Sequence, residues 1–189
     1  MVRSTLVFLI FVFSASASAE GFDYNYLDLG YGIIDVDNTN VDGDGFGLGG
    51  SYAINDDFYV FAGYQDAGLD FGVDFNALNG GIGYHMGLSP VVDLVAELSY
   101  QYVEIDAGGF GNADDDGFGL GVGLRFAATS EVELDAGIGY VDFGSGGNDT
   151  AFNLAGLYSF TGAFAMGLSG SFSNDVSSYT LFGRIYFGR

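Results

Sequence analysis

The chain of 189 residues contains no cysteine, no tryptophan, no lysine and a single proline. Without cysteine it can form neither a disulfide framework nor a thiolate metal site. Its only basic side chains are four arginines, against 25 Asp and Glu, so the formal charge is −21 at pH 7. A chain this acidic repels phosphate, which excludes nucleic acid as a partner. The missing lysine is unusual, because soluble acidic proteins of this size place several on their surface.

Glycine and aromatic residues are abundant instead, with 33 Gly, 19 Phe and 13 Tyr. Acidic disordered chains lack aromatic residues, so disorder is excluded. The glycines show no three-residue period, which excludes a collagen-like chain. For this length, one folded domain is expected.

Residues 1–19 have the pattern of an export signal. One arginine precedes the apolar run Leu6–Phe13, and Ala17-Ser18-Ala19 fits the small-x-small cleavage site. The run is far shorter than the ~20 apolar residues of a membrane-spanning helix. We predict cleavage before Glu20, which leaves a single domain over residues 20–189 with 25 acids and 3 arginines, a net charge of −22.

From Glu20 onward, apolar residues alternate with small or polar ones, and no helical period is present. In residues 92–103 the even positions are Val, Leu, Ala, Leu, Tyr and Tyr, and the odd positions are Asp, Val, Glu, Ser, Gln and Val. A period of two is typical of β-strands. The pattern predicts ten strands, near residues 24–34, 45–54, 58–65, 73–85, 91–104, 117–127, 131–142, 151–160, 163–173 and 178–187.

The connections between these strands also alternate. Short turns follow the even-numbered strands, and longer acidic segments follow most odd-numbered strands, over residues 35–44, 66–72, 105–116 and 143–150. Phe and Tyr gather at both ends of each apolar face, with aliphatic residues between them. Two aromatic girdles around an apolar band are typical of a barrel in a bilayer, where the apolar face points outward.

We therefore predict an all-β fold: a closed antiparallel transmembrane β-barrel of ten strands, or eight as the alternative. It has short periplasmic turns and longer acidic extracellular loops. Closure is required because lipid leaves no partner for an unpaired strand edge. A soluble periplasmic ligand-binding barrel, with the apolar face turned inward, is a distant alternative.

Several short segments resemble a known family, namely Tyr24–Tyr31, Gly47–Ile54, Gly80–Tyr84, Gly137–Tyr140 and Phe182–Phe187. They are similar to the small proteobacterial outer-membrane β-barrel proteins of the opacity and OmpA-transmembrane-like superfamily. More narrowly, they resemble a group once described as secreted activators of plant immunity. The resemblance implies the outer membrane of a Gram-negative bacterium, contact with lipid and lipopolysaccharide, and recognition of the last strand by the barrel-assembly machinery. In such barrels the terminal residue is aromatic, whereas here Phe187 is followed by Gly188 and Arg189.

The alternation places eight ionisable side chains on the inward face, towards the periplasmic half of the barrel. This predicted lumen polar cluster consists of Asp28, His85, Asp93, Glu97, Arg125, Glu133, Asp135 and Arg184. We expect Arg125 to pair with Asp93 and Glu133, and Arg184 with Asp28. Five acids exceed two arginines, so we expect protonated carboxylates or a hydrated, cation-preferring lumen.

Aspartates in the first and third long loops form oxygen-rich clusters, made of Asp35, Asp37, Asp42, Asp44, Asp114, Asp115 and Asp116. Solvated loop residues explain them as well as a metal site does, since the spacing departs from that of the EF-hand. A weak Ca²⁺ or Mg²⁺ site that bridges carboxylates to lipopolysaccharide phosphates is the functional hypothesis. We expect no other cofactor.

The expected function is a structural or surface-interaction role through the acidic loops, without enzymatic activity. Outer-membrane barrel enzymes carry a histidine near the outer rim, whereas the single histidine here, His85, is placed at the periplasmic end. A narrow passive channel for small cationic or neutral solutes is the alternative. The sequence leaves the oligomeric state open.

Overall fold

The computed structural model describes residues 22–37, 39 and 41–188. The predicted signal peptide, residues 1–19, lies outside the described residues. No helix in the described part of the chain is long and apolar enough to cross a membrane.

Ten antiparallel strands form one closed barrel. They are β1 (Tyr26–Val36), β2 (Val41–Ala53), β3 (Phe58–Leu69), β4 (Val73–Ser89), β5 (Val92–Asp106), β6 (Asn112–Ala127), β7 (Val132–Asp142), β8 (Asn148–Thr161), β9 (Phe164–Phe172) and β10 (Val176–Tyr186). Each strand pairs with the next one, and β1 pairs with β10 along its whole length, from Tyr26 opposite Tyr186 to Val36 opposite Val176. The prediction of a closed ten-stranded barrel is confirmed, and the eight-stranded alternative is wrong.

The barrel has two distinct ends. We call the end with the connections after β1, β3, β5, β7 and β9 the loop end, and the opposite one the turn end. The first residue of β1, Tyr26, and the last residue of β10, Tyr186, pair with each other at the turn end. At the loop end, the connections after β3, β5 and β7 contain one-turn 3₁₀-helices, over Asp70–Gly72, Gly108–Phe110 and Gly144–Gly146.

The strands run further towards the loop end than the sequence predicted. β2 begins at Val41 instead of residue 45, and β6 begins at Asn112 instead of residue 117. The connections at this end are therefore only three to five residues long. The reason is that Asp42-Gly43-Asp44-Gly45 keeps the two-residue alternation, with aspartate outside and glycine inside. Its neighbours β1 and β3 offer a pairing partner for every one of these residues.

The apolar face of the barrel points outward. Leu29, Phe118 and Leu168 are each more than 60% exposed, whereas the polar Ser99 and Gln101 of β5 are buried inside. This orientation excludes the soluble barrel with an inward apolar face. In lipid the exposed band is covered by acyl chains.

Aromatic side chains form the two predicted girdles, with rings in contact across neighbouring strands. At the loop end, the rings of Tyr31 and Phe46 lie 4.9 Å apart between centroids, and Tyr100 and Phe118 lie 5.7 Å apart. The Tyr31 hydroxyl donates to Asp44 Oδ2 at 2.5 Å. Phe58 and Tyr84 make the equivalent contact at the turn end, at 5.1 Å. Tyrosine suits the two interfaces of a bilayer because its ring is apolar and its hydroxyl is polar.

Candidate functional sites inside the barrel and at its loop end

The structure places all eight residues of the predicted lumen polar cluster inside the turn-end half of the barrel. Seven of them are buried, and His85 keeps 16% of its side-chain surface exposed. They come from six strands: Asp28 (β1), His85 (β4), Asp93 and Glu97 (β5), Arg125 (β6), Glu133 and Asp135 (β7), and Arg184 (β10). We call them the turn-end cluster.

Arg184 and Asp28 join the last strand to the first. They lie directly opposite each other in the β1–β10 register. Arg184 Nε donates to Asp28 Oδ1 at 2.7 Å, and Arg184 Nη2 donates to Oδ2 at 2.6 Å. The guanidinium also lies 4.0 Å from the ring centroid of Tyr26. A buried bidentate pair of this kind fixes both orientation and register at the seam of the barrel.

Arg125 pairs with two acids of the neighbouring strand β7. Its Nη2 donates to Glu133 Oε1 at 3.0 Å, and its Nε lies 3.9 Å from Asp135 Oδ1. The expected pairing with Glu133 is present, but the expected pairing with Asp93 is wrong. Asp93 lies opposite Arg125 in the register, yet its carboxylate bonds to Tyr24 and His85 instead.

His85, Asp93 and Tyr24 form a compact group at the turn end. His85 Nδ1 lies 3.2 Å from Asp93 Oδ2, and the Tyr24 hydroxyl donates to the same oxygen at 3.1 Å. The rings of His85 and Tyr24 stack with centroids 4.0 Å apart. Next to them, the Tyr59 hydroxyl donates to Glu97 Oε1 at 2.6 Å.

The segment that precedes β1 covers the turn end. Tyr24 is 2% exposed, and the Arg125 guanidinium lies 4.4 Å from its ring centroid and 4.7 Å from that of Phe22. The sequence pattern predicts Tyr24 as the first residue of a strand, whereas β1 begins at Tyr26. Alternation with Tyr26 indicates an inward side chain at position 24, but it does not indicate which residues Tyr24 contacts.

Carboxylates in the turn-end cluster outnumber its cations. Five acids face two arginines and one histidine. Glu97 Oε2, Glu133 Oε2 and both Asp135 oxygens are buried without a hydrogen-bond partner among the described residues. An ionised carboxylate in such a position is unfavourable unless a proton, water or cation satisfies it. The expected hydrated, cation-preferring lumen stays a prediction.

Apolar side chains close the interior at the loop end. This loop-end plug contains the buried residues Ile34, Ala67, Leu69, Phe75, Ala77, Val103, Val141, Phe143, Ala151 and Val176. Phe75 and Val141 have no exposed surface.

Asp149 also faces inward, and it is buried on β8 beside Ala151. The sequence pattern instead predicts this residue in the connection over residues 143–150.

Glycines on the inward face make room for large rings rather than for an open pore. Tyr59 lies opposite Gly83 in the β3–β4 register, and a Cβ added at Gly83 would lie 2.0 Å from the Tyr59 ring. Phe182 similarly lies opposite Gly167, where a Cβ would lie 2.6 Å from its ring. Both rings are buried. The inward glycines therefore allow aromatic packing across neighbouring strands.

Outward-facing carboxylates follow the loop-end girdle on seven neighbouring strands. This acidic rim contains Asp35, Asp42, Asp44, Asp66, Asp74, Glu104, Asp106, Asp114, Asp116 and Asp142. Of the seven predicted metal ligands, five belong to the rim, whereas Asp115 faces inward and Asp37 lies in the β1–β2 connection. Among the described residues, no group of three or more acids or histidines is arranged to hold a metal ion.

The fold and its outward apolar face define a membrane-spanning β-barrel. Residues 5–182 match the model of the outer membrane protein beta-barrel domain family. The chain belongs to this family, and it is therefore an outer-membrane protein. No curated protein matches the chain.

Solved structures include similar barrels. The KdgM porin in complex with disordered oligogalacturonate has a TM-score of 0.50 at 10% identity, over 86% of this chain and 99% of that one. Neisserial surface protein A has a TM-score of 0.42 at 21% identity, over 89% and 100%. Ail, the attachment invasion locus protein of Yersinia pestis, has a TM-score of 0.41 at 17% identity, over 87% and 99%. At these identities, the likeness concerns the fold alone.

Proposed function

We propose that this chain is a non-enzymatic outer-membrane barrel with a structural or surface-interaction role, which it exerts through the acidic rim. The observation that carries the proposal is that buried side chains fill the interior at both of its ends. Phe75 and Val141 block the loop end, and Arg125 and Arg184 are almost completely buried at the turn end. The carboxylates of the rim are then the charged surface that the barrel offers to its surroundings at the loop end.

The position of the single histidine supports a non-enzymatic role. His85 is stacked on Tyr24 and paired with Asp93 at the turn end, far along β4 from the rim. A general base must reach its substrate within hydrogen-bonding distance. Among the described residues, the groups beside the rim that could act as such a base are its carboxylates and the tyrosine hydroxyls of the girdle.

The rim also suits contact with the lipopolysaccharide layer. Its carboxylates would repel lipid phosphates directly, so Ca²⁺ or Mg²⁺ would have to bridge the two. Asp35 and Asp42 lie opposite each other on β1 and β2, which brings two carboxylates of the predicted metal site to the same side of the wall.

Phe187 lies just beyond β10 and is 38% exposed, and we propose that the assembly machinery recognises the last strand at this residue. The narrower resemblance to activators of plant immunity stays a prediction.

A narrow passive channel for small cations or neutral solutes is the second candidate, favoured by the surplus of carboxylates in the turn-end cluster. Passage would require both ends of the interior to open. Planar-bilayer recording of the purified barrel tests this directly. We expect no conductance steps above baseline, whereas regular cation-selective steps would replace our proposal with the channel.

Binding of a cationic probe tests the role of the rim. We expect the barrel in nanodiscs to bind a fluorescent oligolysine peptide, and the variant Asp114→Asn/Asp116→Asn to bind it several-fold more weakly, as measured by fluorescence anisotropy at low salt. The matched control is Asp56→Asn/Asp57→Asn, which removes two exposed carboxylates at the turn end. Equal loss in both variants would mean that net charge, and not the rim, binds the peptide.

A further inference from the structure

A partly open chamber lies inside the barrel, between the loop-end plug and the turn-end cluster. Its volume is about 130 Å³, and its lining comes from six neighbouring strands, in the order β8, β9, β10, β1, β2 and β3. By this measure one water molecule needs about 10–15 Å³, so the chamber has room for on the order of ten. The chamber is separate from the acidic rim, which faces outward.

Glycine forms the wall of the chamber on β1 and β2. Five inward positions in succession across these two strands carry no side chain: Gly30, Gly32, Gly45, Gly47 and Gly49. At Gly30 and Gly32 a Cβ would collide with Thr180, at 2.8 and 2.7 Å. Gly47 is different, because the nearest atom to an added Cβ is Tyr64 O at 3.8 Å. A side chain at position 47 would therefore enter the chamber freely.

Hydroxyl groups form the adjoining wall on β9 and β10, next to the glycines of β1. Ser169 lies opposite Thr180, and Ser171 lies opposite Ser178, in the β9–β10 register. These four side chains line the chamber and are half-buried. Among the described residues, no protein group makes a hydrogen bond to any of the four hydroxyls. Their hydrogen-bonding capacity is directed into the chamber.

The chamber is electrically almost neutral. Asp28 is the only charged residue of its lining, and its two oxygens are already bonded to Arg184. Gln65 and Asn153 add amide groups from β3 and β8, and the Phe182 ring adds an apolar surface. A charged solute would find no counter-ion here. A neutral solute with several hydroxyls would find donors, acceptors and an apolar contact for its C–H groups.

We propose that this chamber binds a small neutral polyhydroxylated solute, about the size of a four-carbon linear polyol. The hydroxyl wall of β9 and β10 and the amides of Gln65 and Asn153 bind its hydroxyl groups, and the open position at Gly47 gives it space. The inference is independent of the proposed role of the acidic rim.

Equilibrium dialysis with radiolabelled erythritol tests the proposal on the purified full chain in detergent. We expect saturable binding of one erythritol per barrel. Gly47→Leu fills the chamber and is expected to weaken binding at least tenfold. The matched control is Gly80→Leu, which changes an outward-facing glycine of β4 where an added Cβ would make only an ordinary contact of 3.5 Å with Phe61 O, and which leaves binding intact.

Thr180→Val gives a second measurement, since it removes one hydroxyl with almost no change in volume, and is expected to weaken binding several-fold. It covers the case in which Gly47→Leu fails to give the heat-modifiable band of a folded barrel. Absence of saturable binding would overturn the proposal and mean that the chamber holds water only. Equal binding by Gly47→Leu and wild type would place the solute elsewhere and overturn it too.

Discussion

At the scale of single residues, the inward glycines explain how ten strands enclose a filled interior. The Tyr59 ring occupies the space above Gly83, where it is 1% exposed and its hydroxyl bonds to Glu97. Phe182 uses Gly167 in the same way. Alternation in the sequence places both the glycines and the rings on the inward face, but it does not decide whether the glycines make a pore or a packing surface.

Gly83→Ala is expected to destabilise the barrel by about 1–3 kcal/mol, because the new Cβ would overlap the Tyr59 ring and overpack the interior. Urea unfolding in lipid vesicles, followed by tyrosine fluorescence, measures the change. Gly80→Ala is the control, since its Cβ would come no closer than 3.5 Å to any other atom. Equal stability of the two variants would contradict the packing role of Gly83.

At the scale of the strand, outward positions change from aspartate to apolar residues where the strand meets the membrane. β6 shows the change in order: Asp114 and Asp116, then Phe118, then Leu120, Val122 and Leu124, then Phe126. Since backbone pairing continues through both parts, the membrane boundary is set by side chains and not by the end of the strand.

Val122→Arg, in the middle of the apolar band, is expected to cost about 2–4 kcal/mol because a charge is unfavourable at the midplane of the bilayer. Asp116→Arg on the same strand lies in the rim, and its expected cost is at most about 1 kcal/mol. Equilibrium folding into vesicles measures both. If the two substitutions cost the same, the membrane boundary on β6 does not lie near Phe118.

At the scale of the whole molecule, the barrel depends on the pairing of its first and last strands. Eleven register pairs join β1 to β10, and Asp28–Arg184 is the ion pair between them. Phe22 and Tyr24 then cover the turn end next to this seam, and the loop-end plug covers the other end. Pairing of β1 with β10 therefore leaves the chamber inside the barrel, between these two ends.

Asp28→Leu alone is expected to destabilise the barrel by about 3–5 kcal/mol, since it leaves the Arg184 charge buried without its partner. The double variant Asp28→Leu/Arg184→Met is expected to recover much of that loss, because both charges are then gone. A double-mutant cycle of unfolding free energies measures the coupling. Purely additive effects would show that the pair does not stabilise the seam.

The sequence by itself determined which segments form strands and which residues of each strand share a face. Alternation is a local property: each residue of β5 points to the side opposite its neighbour, so Glu97 inside and Leu98 outside follow from the pattern alone. The girdles follow for the same reason, because Phe118 and Phe126 lie at the two ends of one outward row.

Only the tertiary structure decided which inward side chains meet. Arg125 bonds to Glu133 while Asp93 bonds to His85 and Tyr24, because the choice depends on the reach of side chains across neighbouring strands and on a segment outside the sheet. The extra strand length at the loop end likewise came from pairing with neighbours, which the local composition of Asp and Gly does not reveal. Local alternation sets the direction of each side chain, whereas register and closure set its partners.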